Sequence, residues 1–261
     1  MTTYKKYFTL SYDDGLEQDK QTIALMKKYG IRGTFNLNSA LFGEKSNIKY
    51  IGTMGFANVD PSIVKRGLIK TATANRIPAD EIRQVYEGFE LATHTAHHVN
   101  MKKLSREETE AELLKDREAL SQYTDLPVVG HAFPYGSKSP SQIEVMKENG
   151  FLYGRGVMNA RGKGEERFAF PENPLDFAPT CWHIDKNIQE LFEAFRAITP
   201  TRGDMLFYMW GHGYEFDFDS MKKREIFKTL EWMFDQVAAD DSIIPCTNAE
   251  AFLAHAESPG R

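Results

Sequence analysis

Short apolar runs alternate along the chain with longer stretches in which apolar residues recur every three or four positions. The run "YFTLSY" (7–12) predicts a strand. The stretch after it, "EQDKQTIALMKKYG", sets Thr22, Leu25, Met26 and Tyr29 at helical spacing, and Gly30 suits a C-terminal cap. "IRGTFNLN" (31–38) and "GFELATH" (88–94) predict further strands, and "SREE" from Ser105 has the capping-box form that opens a helix. "LPVVGHAF" (126–133) and "FLYGRGV" (151–157) read as strands around the helix "SPSQIEVMKENG", with Ser139 as N-cap and Pro140 in its first turn.

Residues 158–176 read as a loop, with "FAPTCWH" returning to the sheet. "KNIQELFEAFRAI" gathers Ile188, Leu191, Phe192, Phe195 and Ile198 on one helical face, and "DMLFYMW" (204–210) predicts a strand. A helix with Ile226, Leu230, Met233 and Val237 on one face follows it; "SIIPC" and the capped helix "TNAEAFLAHA" close the chain. Residues 39–86 lack such regularity and are expected to form an inserted excursion with a short helix or two.

Repeated strand-then-helix units with short connections predict a parallel sheet covered by helices. Either a closed or distorted (β/α) barrel or an open doubly wound sheet satisfies the pattern, and both place functional loops at the carboxyl ends of the strands. With no linker, internal repeat or low-complexity segment, a single domain over residues 1–261 is expected.

Composition narrows the function classes. Hydrophobic residues make up 41% and charged residues 26%, ordinary values for a soluble globular chain. A net charge of −5 without a basic run argues against nucleic acid, and no stretch reaches the ~20 apolar residues of a membrane span. The two cysteines, Cys181 and Cys246, fit buried thiols in a reducing compartment, and no signal-peptide pattern precedes the first strand. A cytoplasmic location is therefore expected.

The chemistry-bearing residues cluster at predicted strand ends. The first strand ends in Asp13 and Asp14, "GFELAT" in "HTAHH", "VVGHAF" in "PYG", and "DMLFYMW" in "GHG" around His212. His94 and His98 are four apart, so one helical turn would aim both imidazoles the same way. A carboxylate from elsewhere completes a two-histidine, one-carboxylate set that leaves positions open for water and substrate. One aspartate can then bind the ion while its neighbour acts as base, and the cation relieves the repulsion between adjacent carboxylates. Singly, each motif has a plain reading, as a turn or a hydrogen-bonded loop histidine; their convergence on one face is the signal.

"LSYDDG", "HTAHH", "FPYG" and "GHG", in that order, resemble the motifs of the polysaccharide deacetylases, the NodB-homology family of metal-dependent carbohydrate esterases. The resemblance spans residues 7 to about 215. It implies a distorted (β/α) barrel of about seven parallel strands and hydrolysis of N- or O-acetyl groups on an acetylated sugar or oligosaccharide. By position it makes Asp13 the catalytic base and His212 the general acid. Asp14, His94 and His98 become ligands of a divalent metal, zinc first, with cobalt, nickel or manganese accepted by the same donors. Tyr135, preceded by Pro134, would offer its backbone N–H to the oxyanion; His97 falls on a variable position.

Ala132 stands where the third motif usually has an arginine that pairs with the base, and the fourth motif has no clear match. Arg155, on the next strand, is the candidate replacement. Trp182, His183, Trp210 and "YEFD" (214–217) are candidates for a sugar-binding rim. Two enzyme alternatives remain at this stage, hydrolysis of another amide such as a cyclic amide, and an iron(II) oxygenase built on the same three ligands. A non-catalytic sugar-binding protein is disfavoured because all five acid and histidine positions are kept. Oligomeric state is left open.

Overall fold

The structure, a computed structural model, describes residues 4–50, 70–217 and 220–258. Its centre is β1 (Lys6–Asp13), buried at all eight positions. Its residues serve two interiors in alternation. Phe8, Leu10 and Tyr12 join the large apolar cluster between sheet and helices, whereas Tyr7 joins a second cluster inside the curl of the sheet. Thr9, on the same face as Tyr7, hydrogen-bonds Asn248 there. Burial on both faces is why this strand reads as a nearly continuous apolar run.

Among the described residues the other strands are β2 (Thr34–Leu37), β3 (Asn47–Tyr50), β4 (Lys70–Thr73), β5 (Glu90–Thr93), β6 (Gly130–Ala132), β7 (Tyr153–Arg155), β8 (Cys181–Trp182), β9 (Met205–His212) and β10 (Ile243–Pro245). Eight of them form one parallel sheet in the order β7-β6-β5-β2-β1-β9-β8, with β10 pairing the first half of β1 and β2 its second half. The sheet curls into a half-barrel flanked by helices, a distorted (β/α) barrel. The segment before β8 spans the gap: Phe177 bridges Arg155 on β7, and four residues later Cys181 pairs with Met209 on β9.

Among the described residues seven α-helices pack around or beneath the sheet: α1 (Asp19–Lys28), α2 (Ala79–Val85), α3 (Arg106–Leu120), α4 (Pro140–Glu148), α5 (Ile188–Ala197), α6 (Ser220–Ala238) and α7 (Asn248–Ala256). The capping box at Ser105 starts α3, and Ser139 is the N-cap of α4 with Pro140 in its first turn, as their sequences predict. On α5, Ile188, Phe192 and Phe195 are buried, while Leu191 and Ile198 are partly buried against the same cluster. Phe8, Phe192, Phe195 and Phe207 interlock there with ring centroids 5.3–5.8 Å apart for the Phe8–Phe192, Phe8–Phe207, Phe192–Phe207 and Phe195–Phe207 pairs. Truncating Phe207 to alanine would cost about 3–5 kcal/mol.

Two regions differ from the sequence reading. The strand expected over 126–133 is confined to Gly130–Ala132, its first residues serving as an approach loop. The described part of the excursion is an antiparallel hairpin, β3 with β4, followed by α2; residues 51–69 of it lie outside the described residues. The hairpin returns against the loop after β1, burying Ala72 and Ala74 against Leu16 and Tyr214.

The last helix, α7, closes the amino end of the barrel. Phe252 stacks on Tyr153 at 5.4 Å, and Asn248 donates to the Tyr208 hydroxyl at 2.7 Å. Both cysteines are buried and free. Among the described residues no helix is long and apolar enough to cross a membrane.

Candidate active site at the carboxyl end of the barrel

The chain turns sharply where β1 ends, and this separates the two aspartates. Asp13 continues the alternation of β1 and points into the barrel. Asp14 adopts φ of 80° and Gly15 of 67°, so the next carboxylate swings away. The Asp14 N–H donates to Asn36 O at 3.0 Å, which fixes the turn to the neighbouring strand. Any side chain at position 15 would be strained, and its Cβ would lie 2.9 Å from Leu37 Cδ2.

Asp13 Oδ1 accepts from Arg155 Nη2 and from Asn36 Nδ2, the latter at 2.8 Å. Its other oxygen, Oδ2, faces the open side of the site, 4.0 Å from His94 Nε2 and 3.8 Å from His212 Nε2. Arg155 is fully buried on β7 and lies over the Trp210 ring at 4.9 Å. It thus reaches Asp13 from the strand after the one that carries Ala132. The Ala132 carbonyl instead accepts from His94 Nδ1 at 2.7 Å, which puts that ring's proton on Nδ1 and leaves Nε2 with its lone pair.

Asp14 Oδ1 lies 3.5 Å from His98 Nε2 and 4.0 Å from His94 Nε2. Ligating atoms of Asp14, His94 and His98 all lie within 4.8 Å of one another. Burial pushes both histidines below their ordinary range, which keeps the imidazoles neutral. Burial works the other way on Asp14, raising it, but His98, His212, His94 and Arg76 together bring it below the usual carboxylate range. Two neutral imidazoles and one ionised carboxylate suit a borderline-soft divalent cation.

The histidines are not joined by a helical turn, as their spacing suggests. A tight turn follows β5, with Thr95 at φ of 57° and His98 at 51°. Thr95 Oγ1 accepts from Val99 N at 3.0 Å and stabilises it. With Asp14 and Tyr135 (φ 58°), these are the non-glycine residues at positive φ among those described, and all four border the site. Such strain persists only where surrounding contacts enforce it.

Tyr135 sits on the turn after β6, just past the buried Pro134, with its ring exposed and its hydroxyl 3.1 Å from His98 Nδ1. His97 faces away and pairs with Glu112 Oε1 at 2.7 Å. Trp210 lies beneath the site, stacked on the half-buried Trp182 at 5.4 Å, rather than on an outer rim.

His212, at the end of β9, pairs in register with Asp13. Its Nδ1 donates to Glu215 Oε1 at 2.9 Å. Burial pulls the imidazole down, but Glu215 first, then Asp13 and Asp14, raise it to about 9. Burial conversely raises Glu215, yet His212 and His183 bring it down to about 2. Glu215 Oε2 also accepts from Trp182 Nε1 and His212 N, both at 2.9 Å, and contacts His183 Nε2. His183 Nδ1 in turn meets the Tyr12 hydroxyl at 2.6 Å. Glu215 and His183, candidates for a rim by sequence, thus lie in a buried support behind His212. The three-residue interval between His212 and Glu215 was the available signal.

Arg76 and Asn36 carried no sequence signal. Asn36 supports Asp13, and Arg76, from the end of the excursion, donates to Asp14 Oδ1 at 3.2 Å.

The fold and this grouping place the chain among barrel proteins with an aspartate–histidine cluster at the carboxyl ends of their strands. The sequence model described as polysaccharide deacetylase matches residues 1–154, and the chain belongs to that family, the NodB-homology proteins. The match contains Asp13, Asp14, His94, His98 and Tyr135 and ends one residue before Arg155. Curated protein sequences give no match.

Among solved structures, one from Mycobacterium smegmatis that is named for the polysaccharide deacetylases aligns over 97% of this chain and 91% of that chain, at 13% identity and a TM-score of 0.59. A CE4 family pseudoenzyme from Bacillus anthracis aligns over 95% of this chain and 66% of that one, at 15% identity and a TM-score of 0.54. The Streptococcus pyogenes deacetylase in complex with acetate aligns over 58% of this chain at 16% identity and a TM-score of 0.44, and the chain spans only 56% of that protein's length. At these identities the likeness is one of fold.

Proposed function

We propose that this chain is a metal-dependent hydrolase that removes N- or O-acetyl groups from a carbohydrate. The observation that carries the reading is the gathering of Asp14, His94 and His98 within 4.8 Å, with Asp13 Oδ2 and His212 Nε2 facing each other beside them. Asp14, His94 and His98 would hold the divalent ion, zinc by donor type. When bound, that ion supplies Lewis acidity, lowering the pKa of a water and polarising the acetyl carbonyl.

The chain's own residues do the rest. Asp13 takes the proton of the attacking water at Oδ2, because Oδ1 is occupied by Arg155 and Asn36. Arg155 and Asn36 hold that carboxylate in one orientation. Tyr135 offers its backbone N–H to the acyl oxygen as negative charge develops there. His212, kept as imidazolium by Glu215, gives the Nε2 proton to the departing sugar nitrogen or oxygen. The products are acetate and the free amine or alcohol. Arg155 beside Asp13 supplies the cation that Ala132 cannot, which removes the main motive for the cyclic-amide alternative.

The test is acetate release from a panel of N- and O-acetylated sugars and oligosaccharides, by protein of measured metal content before and after chelation. The reading expects acetate from at least one substrate, loss on chelation and recovery with zinc. Metal-loaded protein that releases acetate from none of them would overturn it.

A further inference from the structure

Each carboxylate of the site has a basic partner: Asp13 has Arg155, Glu215 has His212, and Asp14 has Arg76. The third pair is unusual because Asp14 is also the carboxylate placed to hold the metal ion. Arg76 Nη2 lies 3.2 Å from Asp14 Oδ1, the same oxygen that faces His98 Nε2 at 3.5 Å and His94 Nε2 at 4.0 Å. The guanidinium and an incoming cation therefore address one set of lone pairs.

Both partners are held independently of their contact. Asp14 is fixed by the backbone bond from its N–H to Asn36 O. Arg76 is laid along the same loop by an antiparallel bridge to Leu16. Bonds from Glu17 N to Asn75 O and from Ile77 N to Gly15 O, each 2.9 Å, flank that bridge. The Arg76 head also reaches Asn38 Oδ1 at 3.4 Å, and Asn38 Nδ2 donates to the His94 and Thr95 carbonyls at 2.5 and 2.9 Å. The guanidinium is thus wedged between the two segments that deliver the ligands. Its side chain is only 11% exposed, so water screens it poorly.

We infer that Arg76 is a resident counter-cation of Asp14 that weakens divalent-metal binding at this site. In the metal-free protein it gives a buried carboxylate a guanidinium partner, where the other close neighbours are the imidazoles of His94 and His98. On metal binding it adds a positive charge beside a dication and competes for Asp14 Oδ1, so affinity is lower than the donor set alone would give. The inference rests on the metal-site reading above, but metal binding can be measured without turnover.

The experiment is zinc titration of the wild-type protein and of Arg76→Gln, Arg76→Met, Arg76→Lys and Asp14→Ala, against a competing chelator, with folding checked by circular dichroism. Arg76→Gln and Arg76→Met should each bind zinc at least about fivefold more tightly, and Arg76→Lys should stay within about twofold of wild type. Two neutral variants guard against one failing to fold. Equal or weaker zinc binding by the folded neutral variants overturns the inference and leaves the metal site standing, with Arg76 then a support for Asp14. Zinc binding by wild type no better than by Asp14→Ala overturns the site, and the inference with it.

Discussion

The barrel buries carboxylates at both ends and treats them differently. At the amino end, Glu90 accepts from Thr34 Oγ1 at 2.7 Å and from Tyr153 OH and Ala249 N at 2.8 Å, all neutral donors. Burial raises it above the usual carboxylate range despite these bonds. At the carboxyl end, Asp13, Asp14 and Glu215 each face a cationic group. Asp14 and Glu215 consequently stay below the ordinary range even though burial opposes it. Neutral donors suffice to hold α7 over the barrel; proton transfer and cation binding need charge that is kept ionised.

The sharpest way to break this contrast is at Asp13. Asn at position 13 keeps an oxygen for Arg155 and Asn36 but loses the basic Oδ2. Asp13→Asn should lower kcat by about 10³-fold or more, with the circular dichroism spectrum and zinc titration close to wild type. Turnover within tenfold of wild type would remove Asp13 as the base.

Next in size is Glu215→Gln. The general acid must carry its proton, so activity falls as the pH rises through the His212 pKa. Glu215 is the largest influence raising that pKa to about 9. Losing its charge lowers the His212 pKa and moves the alkaline limb of kcat/KM to lower pH. Activity at pH 8 should fall by about 10²-fold, and by less near pH 6. An unmoved alkaline limb would separate Glu215 from the acid.

Much of this arrangement was legible because each strand carries its own apolar run and ends in its own polar residues. "DDG", "HTAHH" and "GHG" could be read at strand ends, and the barrel brings those ends together. The gap-spanning segment was legible only in outline: "FAPTCWH" reads as a return to the sheet, but the single bridge from Phe177 to Arg155 has no period to betray it. The turn holding His98 was misread because a spacing of four fits a helix and a left-handed turn equally; the φ values of Thr95 and His98 decide it. Arg76 was hidden for a different reason. It lies 62 residues from Asp14, at the end of a segment without periodicity, and only strand pairing to Leu16 puts it in the site.

At the amino end, Glu90→Gln tests whether structure rather than chemistry is served. Gln offers one acceptor oxygen where Glu offers two, so one of the three donors loses its bond. Stability should fall by about 1–2 kcal/mol in urea unfolding, with zinc affinity and kcat per folded molecule unchanged. A selective loss of kcat without loss of stability would contradict the division between the two ends.

At Asp19, which opens α1 behind the site and has no cation among its hydrogen-bond partners in the described residues, the expected effect depends on pH. Its Oδ2 accepts from Tyr86 OH at 2.8 Å and Leu16 N at 3.1 Å. Burial, opposed by these bonds and helped by Asp14, raises it from an ordinary 3.8 to about 8. At a pH below both values the folded and unfolded chains both hold the proton, so the group has no linkage effect. As the pH rises from about 4 the unfolded chain releases its proton first, and the folded state loses stability progressively until about pH 8. Asp19→Asn is nearly isosteric and cannot ionise. The variant should match wild type near pH 4 and gain on it as the pH approaches 8, by on the order of 1–3 kcal/mol in urea unfolding. A constant difference across that range would mean that Asp19 is already ionised in the fold, and the rule that buried carboxylates here keep their charge only beside a cation would fail at this residue.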